Sequence, residues 1–219
     1  MFQPHFEILL PAQKILWPEL AEVPSHFTLY GGTALALRLG HRESVDFDFF
    51  SSEHVEPGGL LKSISFLKTG KVLQNVSQTL TVAVNRHGPV KLSFFGGLTL
   101  GRVGEPDRTP DGVLQIASLL DLAGTKAAAV TQRAESRDYI DLLAIFNSGI
   151  RPPQALAAAL AIYGEQYNPM LTLKSLAYFG DGDLHKLTED QKDQLRRIAS
   201  MKLESLPQVP RMSLASPTK

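Results

Sequence analysis

Cysteine is absent from the 219 residues, which excludes disulfides, thiol catalysis and thiolate metal sites and suits a reducing compartment. Net charge is absent too. The 22 basic residues balance 22 acidic ones, so no global field draws the chain to nucleic acid or an anionic membrane, and any such attraction must be local. Long apolar runs are also missing. Between Met1 and Leu20 the apolar residues are interrupted by His5, Glu7, Lys14 and Glu19, so the segment lacks the continuous apolar core of a signal peptide or membrane span. A soluble cytoplasmic protein is the expectation. The histidines at 5, 26, 41, 54, 87 and 185 include no pair at zinc-ligand spacing, and no serine sits in a G-x-S-x-G elbow, which leaves a hydrolase reading without support.

What is present is a 43% apolar content, ample for a core without covalent staples. Phe6 to Leu20 places apolar residues at helical spacing and predicts one amphipathic helix over 6 to 22, bent near Pro11. Phe27 to Tyr30 reads as a strand, Gly31-Gly32 as a turn, and Thr33 to Leu39 as a helix stopped by Gly40. Val45 to Phe50 returns as a strand, 59 to 67 as a short helix, and Lys71–Asn75, Leu80–Asn85 and Val90–Phe95 as an antiparallel meander extending a mixed sheet. Between Gly96 and Gly112 the composition turns to Gly, Pro, Asp and Arg, which predicts a boundary between a domain spanning 1 to 112 and one spanning 113 to 206. Beyond it the spacing is helical, over Leu114–Arg133, Ser136–Phe146, Pro152–Tyr163, Met170–Phe179 and Glu189–Leu206. Residues 207 to 219, with three prolines, read as a flexible tail.

The chemistry concentrates in residues 31 to 48. In Val45-Asp46-Phe47-Asp48-Phe49 a period of two puts both carboxylates on one face and Val45, Phe47 and Phe49 on the other. Two adjacent like charges repel, so a pair set among large apolar residues calls for a cation, and Mg²⁺ (or Mn²⁺) prefers carboxylate and phosphate oxygens. Two solvated acids on a half-exposed strand would read the same. Gly31-Gly32 between strand and helix lets backbone approach a phosphate and aims N–H groups at it, while Thr33 is placed to cap the helix or to donate its hydroxyl to a triphosphate. A plain turn also explains two glycines. Arg42 and Ser44, between the two elements, suit either phosphate contact or loop solvation.

The order strand, Gly-Gly-Thr, helix, Gly-His-Arg, strand with D-x-D raises the functional reading. The string from Gly31 to Phe50 resembles the first motif of the AbiEii/AbiGii toxin family of nucleotidyltransferases, relatives of the DNA polymerase beta-type transferases. Leu119 to Lys126 and Arg133 to Leu142 resemble that family's downstream motifs, a helix carrying a lysine followed by an R-D-x-x-D helix. The resemblance covers roughly 25 to 148 and implies an α+β nucleotidyltransferase fold, a mixed sheet flanked by helices followed by a C-terminal helical bundle. It also implies that Asp46 and Asp48 hold the metal, that Gly31, Gly32 and Thr33 cradle phosphates, and that Lys126 and Asp141 join the catalytic set, with Arg137 and Asp138 in support.

Read by spacing alone, Lys126 and Arg133 are seven apart on one predicted helix and Asp138 and Asp141 three apart on the next. That pattern fits a phosphate-neutralising lysine with its orienting acids, and equally a salt-bridge network joining two helices. One departure from the wider fold pattern stands out. Beta-polymerase-like transferases usually carry a third carboxylate on a later strand, where Val90 to Phe95 offers only Lys91 and Ser93 on its polar face.

The function expected from the resemblance is Mg²⁺-dependent transfer of a nucleoside monophosphate from an NTP to an RNA acceptor such as a tRNA 3′ end, by the toxin of a toxin-antitoxin pair with a cognate antitoxin as partner. Two alternatives stand beside it: a transferase modifying a protein hydroxyl, and a fold that has lost its chemistry and binds nucleotide or a partner. A basic patch for RNA would have to come from Lys62, Lys68 and Lys71, or from Lys192, Arg196, Arg197 and Lys202.

Overall fold

The computed structural model describes residues 3–203 and 205–214, which form two compact units. Of the described residues the first takes 3–100, 105–118 and 213–214, the second 101–104 and 119–212.

The first unit is built on a seven-stranded sheet. Its strands are β1 (Thr28–Tyr30), β2 (Asp46–Phe50), β3 (Lys71–Val76), β4 (Thr79–Asn85) and β5 (Pro89–Phe95). Past β6 (Gly101–Arg102), which belongs to the second unit, come β7 (Asp107–Arg108) and β8 (Gln115–Ile116). The order across the sheet is β3-β4-β5-β2-β1-β8-β7. β3, β4 and β5 form the expected antiparallel meander, β5 runs parallel to β2, and β2 runs antiparallel to β1. The predicted mixed sheet is present.

Packing fixes the register of β2. Phe47 and Phe49 are fully buried, Phe49 stacks on Phe94 at 5.0 Å, and Phe27 meets Phe94 edge-on at 5.3 Å. Each such ring contributes roughly 1.5–3 kcal/mol when buried. A one-residue slip would exchange the phenylalanines for Asp46 and Asp48, so this core face dictates where the carboxylates point. Val45 departs from expectation: it precedes the strand and is 51% exposed, outside the core that Phe47 and Phe49 share.

Three other elements differ from the sequence reading. The N-terminal helix is three pieces, a 3-10 turn at Phe6–Ile8, α1 (Pro11–Leu16) and a second 3-10 turn at Trp17–Glu22. Pro11 and Pro18 each open an element, where a missing N–H does no harm, instead of bending one continuous helix. The strands do not stop at 112, because Ile116 pairs with Leu29 in parallel and β8 extends the β1 side of the sheet, with β7 at its edge. The helix expected from Leu114 accordingly starts later, as α4 (Leu119–Ala129). The remaining helices of the first unit are α2 (Gly31–Leu39), closed by left-handed Gly40 at φ +62, and α3 (Pro57–Ser63), capped by Glu56.

The second unit is helical, as expected. It contains α4, α5 (Ser136–Asn147), α6 (Pro152–Tyr163), α7 (Pro169–Ser175) and α8 (Glu189–Ala199). Gly124 lets α4 and α6 touch: a Cβ there would lie 2.8 Å from the Ala159 nitrogen. Small residues on both sides set this close approach. Buried Asp121, on α4, accepts hydrogen bonds from the Val103 and Gly104 N–H groups at 2.7 and 3.1 Å, tying that distant segment to the bundle. Asp183 accepts from the Ser136 N–H at 2.5 Å and from its hydroxyl at 3.1 Å, closing the N-terminus of α5. Of the expected tail, 207–211 carry no helix or strand, Met212–Ser213 form a two-residue strand (β9), and 215–219 lie outside the described residues. No helix among the described residues is long and apolar enough to cross a membrane.

Candidate active site

In the first unit the seven candidate residues from Gly31 to Asp48 gather where α2 begins and β2 runs beside it. Tyr30, the last residue of β1, is also the N-cap of α2, so Gly31-Gly32-Thr33 is the helix's own first turn and not a separate loop. Tyr30 makes no side-chain capping bond. The first-turn N–H groups of a helix have no intrahelical acceptor and carry the positive end of its dipole.

Asp48 stands against that turn. It is paired in register with Tyr30, and a Cβ placed on Gly31 would fall 2.6 Å from its Oδ2. Gly31 has φ +73, so two independent constraints demand glycine: the backbone conformation and the carboxylate beside it. At Gly32 the neighbours are different, with a Cβ meeting Arg42 Nη2 and Ser44 Oγ at 2.9 Å each. Arg42 and Ser44 thus lie over the glycine turn. Thr33 is fully buried, and its hydroxyl donates to the Asp46 carbonyl, so the side chain joins α2 to β2.

The parallel register of β2 and β5 sets Asp46 beside Lys91 and Asp48 beside Ser93. Lys91 Nζ lies 2.8 Å from Asp46 Oδ2. On β5, where the resemblance led a third acid to be expected, the sheet carries an ammonium paired to Asp46. The alternation of β5 put Lys91 on the polar face, but the sequence could not reveal which residue it would meet, because that depends on strand order.

Among the described residues no group of three or more His, Asp or Glu side chains converges. The donor set on β2 is two carboxylates on one strand face. This fits Mg²⁺, which is commonly held by one or two carboxylates together with substrate phosphates, and does not fit an all-protein cage.

The second unit holds the other candidates. Lys126 Nζ lies 2.6 Å from both Asp138 Oδ1 and Asp141 Oδ2, and all three are buried, Lys126 being 6% exposed. Arg133 adds a second cation to Asp138 through Nε at 2.7 Å. Burial pushes the Asp138 carboxyl up, but the hydrogen bond from Arg133 and the charge of Lys126 outweigh it and hold the group below its ordinary value. Tyr139, next along α5, is pushed up to about 12 by burial, with Asp138 and Asp181 adding to the effect. Arg137 points elsewhere, donating to Glu135 at 2.7 Å from a largely exposed position. The structure therefore brings Lys126, Asp138 and Asp141 into one network and leaves Arg137 at its margin.

Comparison with known proteins supplies a family. The family model described as nucleotidyl transferase AbiEii toxin, type IV toxin-antitoxin system, matches residues 15–213. An uncharacterized protein of Aquifex aeolicus is 28% identical over 187 residues, covering 82% of this chain and 89% of that protein. Among solved structures, an H. pylori protein assigned as a nucleotidyltransferase superposes with a TM-score of 0.56 at 18% identity, covering 86% of this chain and 91% of that one. MenT4, a nucleotidyltransferase toxin of Mycobacterium tuberculosis, gives 0.58 at 15% identity, covering 86% and 80%. These likenesses extend well past the motifs, over residues beyond 148 for which the sequence predicted helices but carried no family resemblance.

Proposed function

Because the chain belongs to the AbiEii nucleotidyltransferase toxin family, we propose that it transfers a nucleoside monophosphate from an NTP to a hydroxyl of an RNA acceptor, the 3′ end of tRNA being the acceptor the resemblance implies. The observation that carries this reading is the approach of Asp48 to the first turn of α2, which puts two carboxylates and a set of N–H donors in one place. Carboxylates recruit a cation, and the helix N-terminus and Arg42 recruit phosphate.

In the reaction the acceptor oxygen bonds to the α-phosphorus, the bond from that phosphorus to the bridging oxygen breaks, and pyrophosphate departs with the electron pair. The hydroxyl proton passes to solvent. Mg²⁺, held by Asp46 and Asp48, would neutralise phosphate charge and polarise the reacting oxygens. The chain's own part is positioning and charge. Gly31 keeps the wall low enough for Asp48, Gly32 leaves space beneath Arg42 and Ser44, and Thr33 anchors β2 to α2. Lys126 and Asp141 are counted with the catalytic set on the family resemblance; Asp138 and Asp141, both buried, fix the orientation of the lysine, with Arg133 holding Asp138 in turn.

The family's type IV toxin-antitoxin description supports growth arrest as the cellular outcome and an antitoxin as partner. Incubation of the purified protein with labelled NTPs, Mg²⁺ and total RNA is the test. The expected result is labelled RNA, lost in Asp48→Ala. Label on a polypeptide when cell extract replaces RNA would redirect the proposal to a protein acceptor, and no transfer to either would leave nucleotide binding alone.

A further inference from the structure

Asp46 and Asp48 do not face a void of charge. Lys91 sits 2.8 Å from Asp46, and Arg42 lies over Gly32 beside the turn that Asp48 abuts. The two acids and two bases sum to zero. Ser93, in register with Asp48, contributes a hydroxyl where a further acid would have tipped the balance.

We infer that Lys91 is a positioning residue that holds Asp46 as its counter-ion in the nucleotide-free protein and so makes divalent-metal binding depend on nucleotide. The inference rests on the reading of Asp46 and Asp48 as metal ligands. A divalent ion arriving alone must compete with an ammonium already on Asp46 Oδ2, beside two acids whose charge Lys91 and Arg42 offset. A triphosphate changes both conditions, because it brings several negative charges and offers the ammonium another anion. Lys91 is partly exposed and sits on a long flexible stem, so it can exchange one oxygen for the other without backbone movement. The site thus takes its metal as the metal-nucleotide complex and discriminates against the free ion. Pairing also keeps Asp46 oriented meanwhile.

The test is a titration of the full chain with Mn²⁺, reading free ion by its paramagnetic resonance signal, with and without a non-hydrolysable ATP analogue. Wild type, Lys91→Met, Lys91→Arg and Asp46→Asn are compared. Without nucleotide, Lys91→Met should bind Mn²⁺ on the order of tenfold more tightly than wild type, the scale expected for removing one nearby charge in a partly solvated site. Lys91→Arg should stay within about twofold, since the charge is kept. With the analogue present the gap between wild type and Lys91→Met should close. Equal or weaker binding by Lys91→Met without nucleotide would overturn the inference while leaving the metal site intact. Binding unaffected by Asp46→Asn, or none in any variant under either condition, would overturn the reading of the acids as metal ligands and the inference with it. Thermal melts of each variant show that the comparison is between folded proteins.

Discussion

Replacing Gly31 by alanine tests the central geometry most directly. Two penalties add at this position and can be separated by its neighbour. The first is conformational: at φ +73 an alanine costs about 1–2 kcal/mol in the left-handed region. The second is steric: the new methyl would fall 2.6 Å from Asp48 Oδ2, well inside contact distance, so the carboxylate or the start of α2 must shift by about 1 Å. A shift of that size at a reacting centre costs on the order of 100-fold in rate. Gly32→Ala is the control. Its methyl would meet only the ends of the Arg42 and Ser44 side chains, and no left-handed backbone is involved, so it should lose about 1 kcal/mol or less of stability. The measurements are urea unfolding for stability, Mn²⁺ affinity in the presence of an NTP analogue, and transfer of label from NTP. Gly31→Ala should fall in all three, and its loss in metal affinity should exceed that of Gly32→Ala. If Gly31→Ala keeps wild-type stability and metal affinity, Asp48 does not stand against the helix start and the site has been misassembled.

Lys126→Met leaves Asp138 and Asp141 buried without their shared ammonium and should destabilise the helical unit by about 3–5 kcal/mol in urea melts, whereas a loss below about 1 kcal/mol would show the network to be dispensable. The phenols of Tyr139 and Tyr167 are both held near 12 from an ordinary 10.0, chiefly by burial, so the neutral forms are favoured in the fold. Their contribution is complete below about pH 10 and is lost as pH rises toward 12, and the part of the tyrosinate absorbance that Tyr139→Phe and Tyr167→Phe remove should therefore rise together with loss of helical circular dichroism, not before it. At the acid end Asp183 is held down to about 2 by the Ser136 N–H, with Lys186 assisting. Its contribution is present above the ordinary carboxyl range and lost as pH falls toward 2, so the stability gap between wild type and Asp183→Asn should shrink across that interval in acid titrations.

Much of this was legible in the sequence because it depends on local periodicity. Alternation in β2 gave both the buried Phe47 and Phe49 and the shared face of the acids, and the glycine pair gave the helix start. What escaped depended on partners distant in sequence. β8 is two residues long and owes its strand conformation to β1, against which no periodic signal could form. The role of Lys91 required knowing that β5, and not β3 or β4, lies next to β2. Spacing along α4 and α5 allowed either a phosphate-facing lysine or a salt-bridge network, and only burial at Lys126 revealed that the network exists. Pro11 reads in the sequence as a bend in one helix, although its chemistry equally suits the beginning of an element, as that of Pro18 does.

The hydrogen bonds from Val103 and Gly104 to Asp121 make the chain's path between its units a matter of more than one crossing. Residues 101–104 go with the helices although 105–118 return to the sheet, so neither unit is a continuous stretch of sequence. Cutting the chain at 112 would strip the bundle of the strap that serves the buried Asp121 carboxylate, and moving the cut to 100 would take β7 and β8 from the sheet. Expressed halves should therefore complement one another poorly, and a circular permutant that keeps 100 to 120 unbroken should tolerate new ends far better.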